Sequence, residues 1–501
     1  MNVVDGESIT RTEERKADVI VVGSGPAGAA VARTAARGGA SVIVVEEGPL
    51  VRPEEMAEDG FTAMTELYRD MGTSLLMGSA PMPFLQGRVV GGTSVINGAI
   101  SWRLPRDVYD EWVSADPAIA DDIPWQRVDE LFDRVEADLS ISPTSPEVSG
   151  LNNDLLAKGA EALGLEHRPI SRNVSGCCGL GRCLQGCPEG HKTSMDLTYL
   201  PDAAEHGAVI MCSTRAVVVE VEGGRATGVR GVTSSGGEVR LRADRAVVLA
   251  ASAVQTPALL QRSHIRGGPV GENFQCHPGV SMVGRFREDV RMWTGATQGH
   301  EVIGLRREGI KLEALGYDMS LVAMRTKGVG RALTADIADL GHFCNWGAAI
   351  RAEGRGRVKA RGGSGGVSVR FSLTRDDVAK VRRGVRVMGE MMLAAGADSV
   401  APGIPGWHEK VTDRSVMARF EEEGPLDPRA YTMAVTHMFG TCKLGSDPAT
   451  CVVRPDFRHH RTKSLYIADS SVFPSNTGVN PQTSIIALAT LCGEKVLATS
   501  H

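Results

Sequence analysis

The chain has 501 residues, a formal net charge of −5, and 42% hydrophobic and 23% charged residues. That length can bury a large core and points to two or more domains, while the weakly acidic balance excludes the basic footprint of a nucleic-acid binder. No run approaches the ~18 consecutive apolar residues of a transmembrane segment, and the polar start MNVVDGESITRTEERKAD has no apolar signal core, so we expect a cytoplasmic protein with residues 1–16 as a flexible leader.

Asp18–Gly23 is a continuous apolar, β-branched run, as in a strand buried on both faces. Gly23-Ser24-Gly25-Pro26-Ala27-Gly28 follows, then an Ala-rich helix over Ala29–Gly38 and a second buried strand over Ser41–Glu46. This is a β-α-β unit. Its glycines allow a tight turn and let the backbone approach a pyrophosphate at the helix N-terminus. Glu46, eighteen residues beyond Gly28, ends the second strand where an acidic side chain meets a ribose. The loop by itself does not separate FAD from NAD.

Four of the ten cysteines crowd into residues 177–187 as Cys177, Cys178, Cys183 and Cys187. That is a local feature rather than a disulfide framework. From Val217 the pattern alternates, with Gly223-Gly224 and Gly236-Gly237 as turns, which predicts a β-meander feeding the buried run Ala246–Ala250. Residues 282–375 suit an antiparallel sheet, 376–397 have helical apolar spacing, and Leu465–Ala468 is a last buried strand. No repeat or low-complexity linker separates these parts, so the domains are expected to interleave.

Near the C-terminus stand His437-Met438-Phe439-Gly440-Thr441 and Asn480-Pro481-Gln482-Thr483, with Leu465–Pro474 between them. A His and an Asn flanking an apolar strand that ends in Asp469 suggest two polar groups brought to one site. His277, His459 and His460 are read as surface or supporting residues.

The stretch Gly87–Gly98 (GRVVGGTSVING) resembles the first signature of the glucose–methanol–choline (GMC) oxidoreductases, and the C-terminal block resembles the family's catalytic segment. Ala250–Leu260 and Val270–Pro278 are similar to two further family segments, so four matches run in the family's order. Three positions depart from the pattern. The usual Gly is Ser252, the usual Asp before His277 is Cys276, and the position that carries a flavin-linking His in some members is Ile96.

The resemblance implies an α/β fold. A Rossmann-like FAD-binding domain (17–110, 205–285 and 431–501) would interleave with a substrate domain on an antiparallel sheet with helices (111–204 and 286–430). It implies non-covalent FAD, held by Gly23, Gly25, Ala27, Gly28 and Glu46. Gly91, Gly92, Thr93, Ser94 and Asn97 would line the flavin and pyrophosphate, Val217 the adenine, and Ala251, Asp469, Pro481 and Thr483 the rest. It implies oxidation of an alcohol or sugar hydroxyl to the carbonyl, with His437 as general base and Asn480 holding the alkoxide. A lyase using FAD without net redox is the alternative.

The cysteine spacing also resembles the catalytic subunits of FAD-dependent sugar dehydrogenases. There Cys177, Cys183 and Cys187 would hold a 3Fe–4S cluster that passes electrons to an acceptor protein. Free thiols, a local disulfide or zinc are the other readings. Arg351, Arg355, Arg357, Lys359 and Arg361 could bind an anionic substrate or an acidic partner, but a solvated hairpin rich in basic residues is the favoured reading.

Overall fold

The structure is a computed structural model that describes residues 1–323, 329–362 and 366–499. Parts of the 282–375 stretch (324–328 and 363–365) and the last two residues lie outside this description. Two large sheets organise the chain. The first has eight strands, with Val3–Asp5, Val209–Cys212, Val42–Val45, Glu13–Val22 and Glu238–Leu249 in parallel order. Arg225–Thr233 and Thr214–Glu222 extend it as the antiparallel meander, and Leu465–Ile467 pairs in parallel with Glu238–Leu249. All four residues of Val42–Val45 are buried, as a parallel sheet covered on both faces requires. The helix Pro26–Arg37 packs against the C-terminal helix Gln482–Ala498, so the beginning and the end of the fold share one core.

The second sheet has seven strands. Ser399–Ala401, Gln275–Arg285, Phe343–Ile350, Ile310–Ala314, His300–Val302 and His167–Pro169 follow in order, and Met433–Phe439 joins on Gln275–Arg285. The helix Arg375–Ala395 covers it, closed at one end by a Thr374–Asp377 capping box and at the other by Gly396 at φ 111°. Trp346 is wholly buried in the core between them. Among the described residues no helix is long and apolar enough to cross a membrane.

Two expectations need correction. Residues 1–16 are not a loose leader. Val3–Asp5 adds a strand alongside Val209–Cys212, and the long strand already begins at Glu13. The strands Gln275–Arg285 and Met433–Phe439, placed by sequence with the FAD-binding segments 205–285 and 431–501, pair into the antiparallel sheet. Strand pairing is decided by distant partners, which local periodicity does not report.

Candidate functional site

A single cavity of about 660 Å³ runs from the glycine loop to His437. At its nucleotide end the backbone leaves no room for side chains. Gly23 has φ +99°, and a Cβ there would come within 2.4 Å of the Ala250 carbonyl oxygen. A Cβ on Gly28 would lie 1.8 Å from the Gly23 carbonyl oxygen, so Gly28 serves close packing of helix on strand and does not line the cavity. Gly92 also approaches the Gly25 backbone closely, at 2.8 Å for a built Cβ. Ser24 Oγ joins the two loops by accepting from the Gly91 N–H (3.0 Å) and donating to Glu46 Oε2 (2.7 Å). Burial pushes the Glu46 carboxyl up, opposed by hydrogen bonds from Gly48 and Ser24.

Of the remaining sequence-predicted cofactor residues, Gly23, Gly25, Ala27, Glu46, Gly92, Thr93, Ser94, Asn97, Ala251, Asp469 and Pro481 line the cavity. Gly91, Val217 and Thr483 do not. Val217 sits at a bulge in its strand, which turns Thr214, Arg215 and Ala216 to the cavity instead. Asp469, pushed up by burial and held back by its hydrogen bonds, accepts from the Ser252 and Ser471 amides at 3.0 and 2.9 Å and from the Thr256 hydroxyl. Ser252 itself has φ 91°, a region that favours glycine.

The residues fit a flavin dinucleotide. The helices Pro26–Arg37 and Gln482–Ala498 both start at this cavity without a capping side chain. Thr483 Oγ1 and Ser484 Oγ, in the first turn of the second helix, are buried without a protein partner. Two open helix N-termini therefore offer N–H groups and positive dipole ends, one suited to a pyrophosphate and one to the polar edge of a flavin ring.

At the far end Met433–Phe439 presents His437, and the loop before the C-terminal helix presents Asn480. His437 Nε2 and Asn480 Nδ2 stand 3.4 Å apart. His437 is partly buried and lines the cavity. Burial, then the positive charge of Lys311, pulls its imidazole down to about 3. His277, expected as a surface or supporting residue, is buried with its Nδ1 3.2 Å from His437 Nδ1. Its Nε2 faces Asn476 Oδ1 at 3.2 Å and also receives the Gly478 N–H at 3.0 Å. Burial and the neighbouring His437 hold it well below the usual imidazole range. His459 is likewise buried, 3% exposed, whereas His460 is partly exposed.

Sequence reasoning missed Lys311. It is 5% exposed, donates to Asn480 Oδ1, and lies 2.9 Å from both Glu301 and Glu313. Burial lowers this ammonium, but the two carboxylates outweigh it and raise the group overall. The available signal was Lys311 and Glu313 alternating on one face of a strand, which is weak without knowing that the face is internal.

For the 3Fe–4S expectation the structure offers no support: among the described residues no group of three His, Cys, Asp or Glu side chains is arranged to hold a metal ion, and Cys177, Cys183 and Cys187 are free thiols that do not line the cavity. Glycines with left-handed φ at 179, 181 and 186 reverse the chain between the thiols, and Gly176 does so just before Cys177. Arg172 donates to Cys177 Sγ at 3.4 Å. The buried Lys192 ammonium lies beside Cys183 and Cys187 and spends its protons on the Val95, Asn97 and Cys183 carbonyls.

A parallel sheet with a glycine loop, joined to an antiparallel sheet across one redox-suited cavity, defines a two-domain flavin-type oxidoreductase. Residues 64–279 and 352–489 match the two GMC oxidoreductase family models, and residues 18–64 match the FAD binding domain. The chain belongs to the GMC oxidoreductase family. It is 34% identical to a GMC-type oxidoreductase of Mycobacterium tuberculosis, over 99% of this chain and 77% of that one. It is 26% identical to a long-chain-alcohol oxidase of Arabidopsis thaliana, over 96% and 68%. Among solved structures the fold resembles pyridoxine 4-oxidase from Mesorbium loti, with a TM-score of 0.73 and 19% identity, over 97% of this chain and 100% of that one.

Proposed function

We propose that this protein oxidises the hydroxyl of an apolar alcohol to the carbonyl. FAD, bound without a covalent link, supplies a hydride acceptor at the flavin ring. His437 takes the hydroxyl proton at Nε2, and Asn480 Nδ2 donates to the developing alkoxide. The observation that carries this reading is the 3.4 Å His437–Asn480 pair, set at the opposite end of one cavity from the glycine loop.

An apolar substrate is supported by the apolar part of the cavity lining, which includes Met64, Leu85, Leu184, Val280, Leu315 and Leu321. The long-chain-alcohol oxidases among the relatives agree with it. Ile96, at the position of the flavin-linking His of some members, has no nucleophile to offer, so FAD should be released by denaturation.

The test is anaerobic addition of a panel of aliphatic, aromatic and sugar alcohols to the yellow protein. Bleaching by apolar alcohols, together with a His437→Ala variant that keeps FAD but reduces it about 10²–10⁴-fold more slowly, is expected. Product formation with an unchanged flavin spectrum would replace this reading with the lyase. Undiminished reduction by His437→Ala would remove the base from this residue.

A further inference from the structure

The reaction needs more than a His and an Asn at the right distance. Both side chains are ambiguous: an amide can present its oxygen or its NH₂, and an imidazole can carry its proton on either nitrogen. The surrounding hydrogen bonds resolve both. Lys311 donates to Asn480 Oδ1, which leaves Nδ2 as the group beside His437 Nε2. Asn476 Nδ2 donates to the Ala352 carbonyl at 2.7 Å, which turns its Oδ1 to His277 Nε2.

With that oxygen in front of it, His277 carries its proton on Nε2, and its Nδ1 lone pair accepts from His437 Nδ1–H. His437 Nε2 is then an unprotonated nitrogen facing the cavity. The Gly478 N–H favours the opposite tautomer of His277. That tautomer would set His437 Nε2–H against the Asn480 NH₂, two donors 3.4 Å apart, and the Lys311 bond prevents the amide from turning to relieve them.

We propose that Lys311 is a positioning residue for the redox reaction: by holding the Asn480 oxygen it aims the amide NH₂ at the alkoxide and fixes the basic nitrogen of His437 toward the substrate. It acts through Asn480 and not on substrate. Its three protons meet three acceptors, Glu301 Oε2, Glu313 Oε2 and Asn480 Oδ1, so none is left for a ligand.

The ammonium is itself anchored. Glu301 and Glu313 are directly opposed on neighbouring strands, a pairing that repels unless a cation lies between them. Glu301 is fully buried, with Oε1 accepting from Arg168 at 2.9 Å and Oε2 from the Trp102 indole at 2.8 Å. Glu313 Oε1 accepts from Gln298 at 3.1 Å. The strand Ile310–Ala314 thereby delivers a rigid cation to the Asn480 side chain. Lys311 also adds positive charge beside His437, which helps keep that imidazole neutral and able to accept a proton.

This inference rests on the proposed alcohol oxidation, and the test separates the two. Flavin reduction is measured by anaerobic stopped flow in wild type, Lys311→Met, Asn480→Ala and the double variant. Lys311→Met should slow reduction 10–100-fold in the wild-type background but less than about 3-fold when Asn480 is already Ala. The acid limb of the rate profile should move to higher pH in Lys311→Met and stay in place in Lys311→Arg.

A readout independent of turnover is the ¹⁵N titration of the His437 ring, assigned by its loss in His437→Ala. Nε2 should be unprotonated at neutral pH in wild type and partly protonated in Lys311→Met. Should the loss of the ammonium prevent folding, Lys311→Met with Glu313→Gln removes the excess buried charge and serves in its place. Additive losses in the cycle, or an unmoved acid limb and ring titration, overturn the positioning role. A wild-type flavin that no alcohol reduces overturns the proposed function, while the ring titration still tests Lys311.

Discussion

At the residue scale, the unusual property of His437 is that its environment resists protonation. Burial and Lys311 hold it at about 3, below the ordinary imidazole value near 6.5. In its proposed role as base His437 is competent when unprotonated, so flavin reduction should stay level from pH 8 down to about pH 5 and fall only as the medium approaches pH 3. Stopped-flow rates across that range check this, and a midpoint near 6.5 would contradict it. Ser252 gives a second test. It holds φ 91° while its Oγ accepts from Gln86 Nε2 at 2.8 Å. Ser252→Gly loses that bond but relieves the backbone, whereas Ser252→Ala loses the bond and keeps the strain. Thermal melts should rank Gly above Ala by about 1 kcal/mol. That His437 and Asn480 come together was legible because each lies in a motif of fixed spacing. Lys311 and His277 were not, because their importance lies in what faces them across strands far apart in sequence.

Among the elements, the antiparallel sheet does more than the sequence promised. Ala349, Gly279 and Ala434 are neighbours in one row across three strands, and all three line the cavity. A Cβ at Gly279 would meet nothing nearer than 3.7 Å, so this floor is both flat and open. Ala434→Leu should therefore raise KM for long or bulky alcohols about tenfold and leave a short alcohol nearly unaffected, as steady-state kinetics on a chain-length series would show. Unchanged KM for the long alcohols would place the substrate elsewhere. The helix Arg375–Ala395 was readable to within two residues from its apolar period. The strand Val3–Asp5 was not, since three residues carry no period and its partner lies some two hundred positions away.

For the whole molecule, stability should carry a mark of its buried neutral histidines. His459 is held at about 4, by burial first and then by His460 and Arg461, and its Nε2 has no partner. The unfolded chain binds a proton there below pH 6.5 while the folded chain does not, so this residue's contribution is present above pH 6.5 and is lost as the pH falls toward 4. Urea midpoints should show wild type losing ground to His459→Gln across that window, by up to about 1.4 kcal/mol per pH unit. Parallel curves would refute the assignment. The α/β architecture was legible from the glycine loop, the buried runs and the meander, whereas the boundaries blurred because two strands leave the dinucleotide segments to build the neighbouring sheet.

The C-terminal helix packs against the helix that follows the first glycine loop, and the strand Leu465–Ile467 completes the sheet beside it. During synthesis the ribosome therefore delivers the glycine-loop cradle early and its counterpart more than four hundred residues later. A nascent polypeptide halted before residue 465 has half a receptacle, with neither Asp469 nor the second open helix end. Flavin loading must then wait until Leu465–Ile467 and Gln482–Ala498 have been made and folded into place, and a frameshift upstream of them should yield a colourless product.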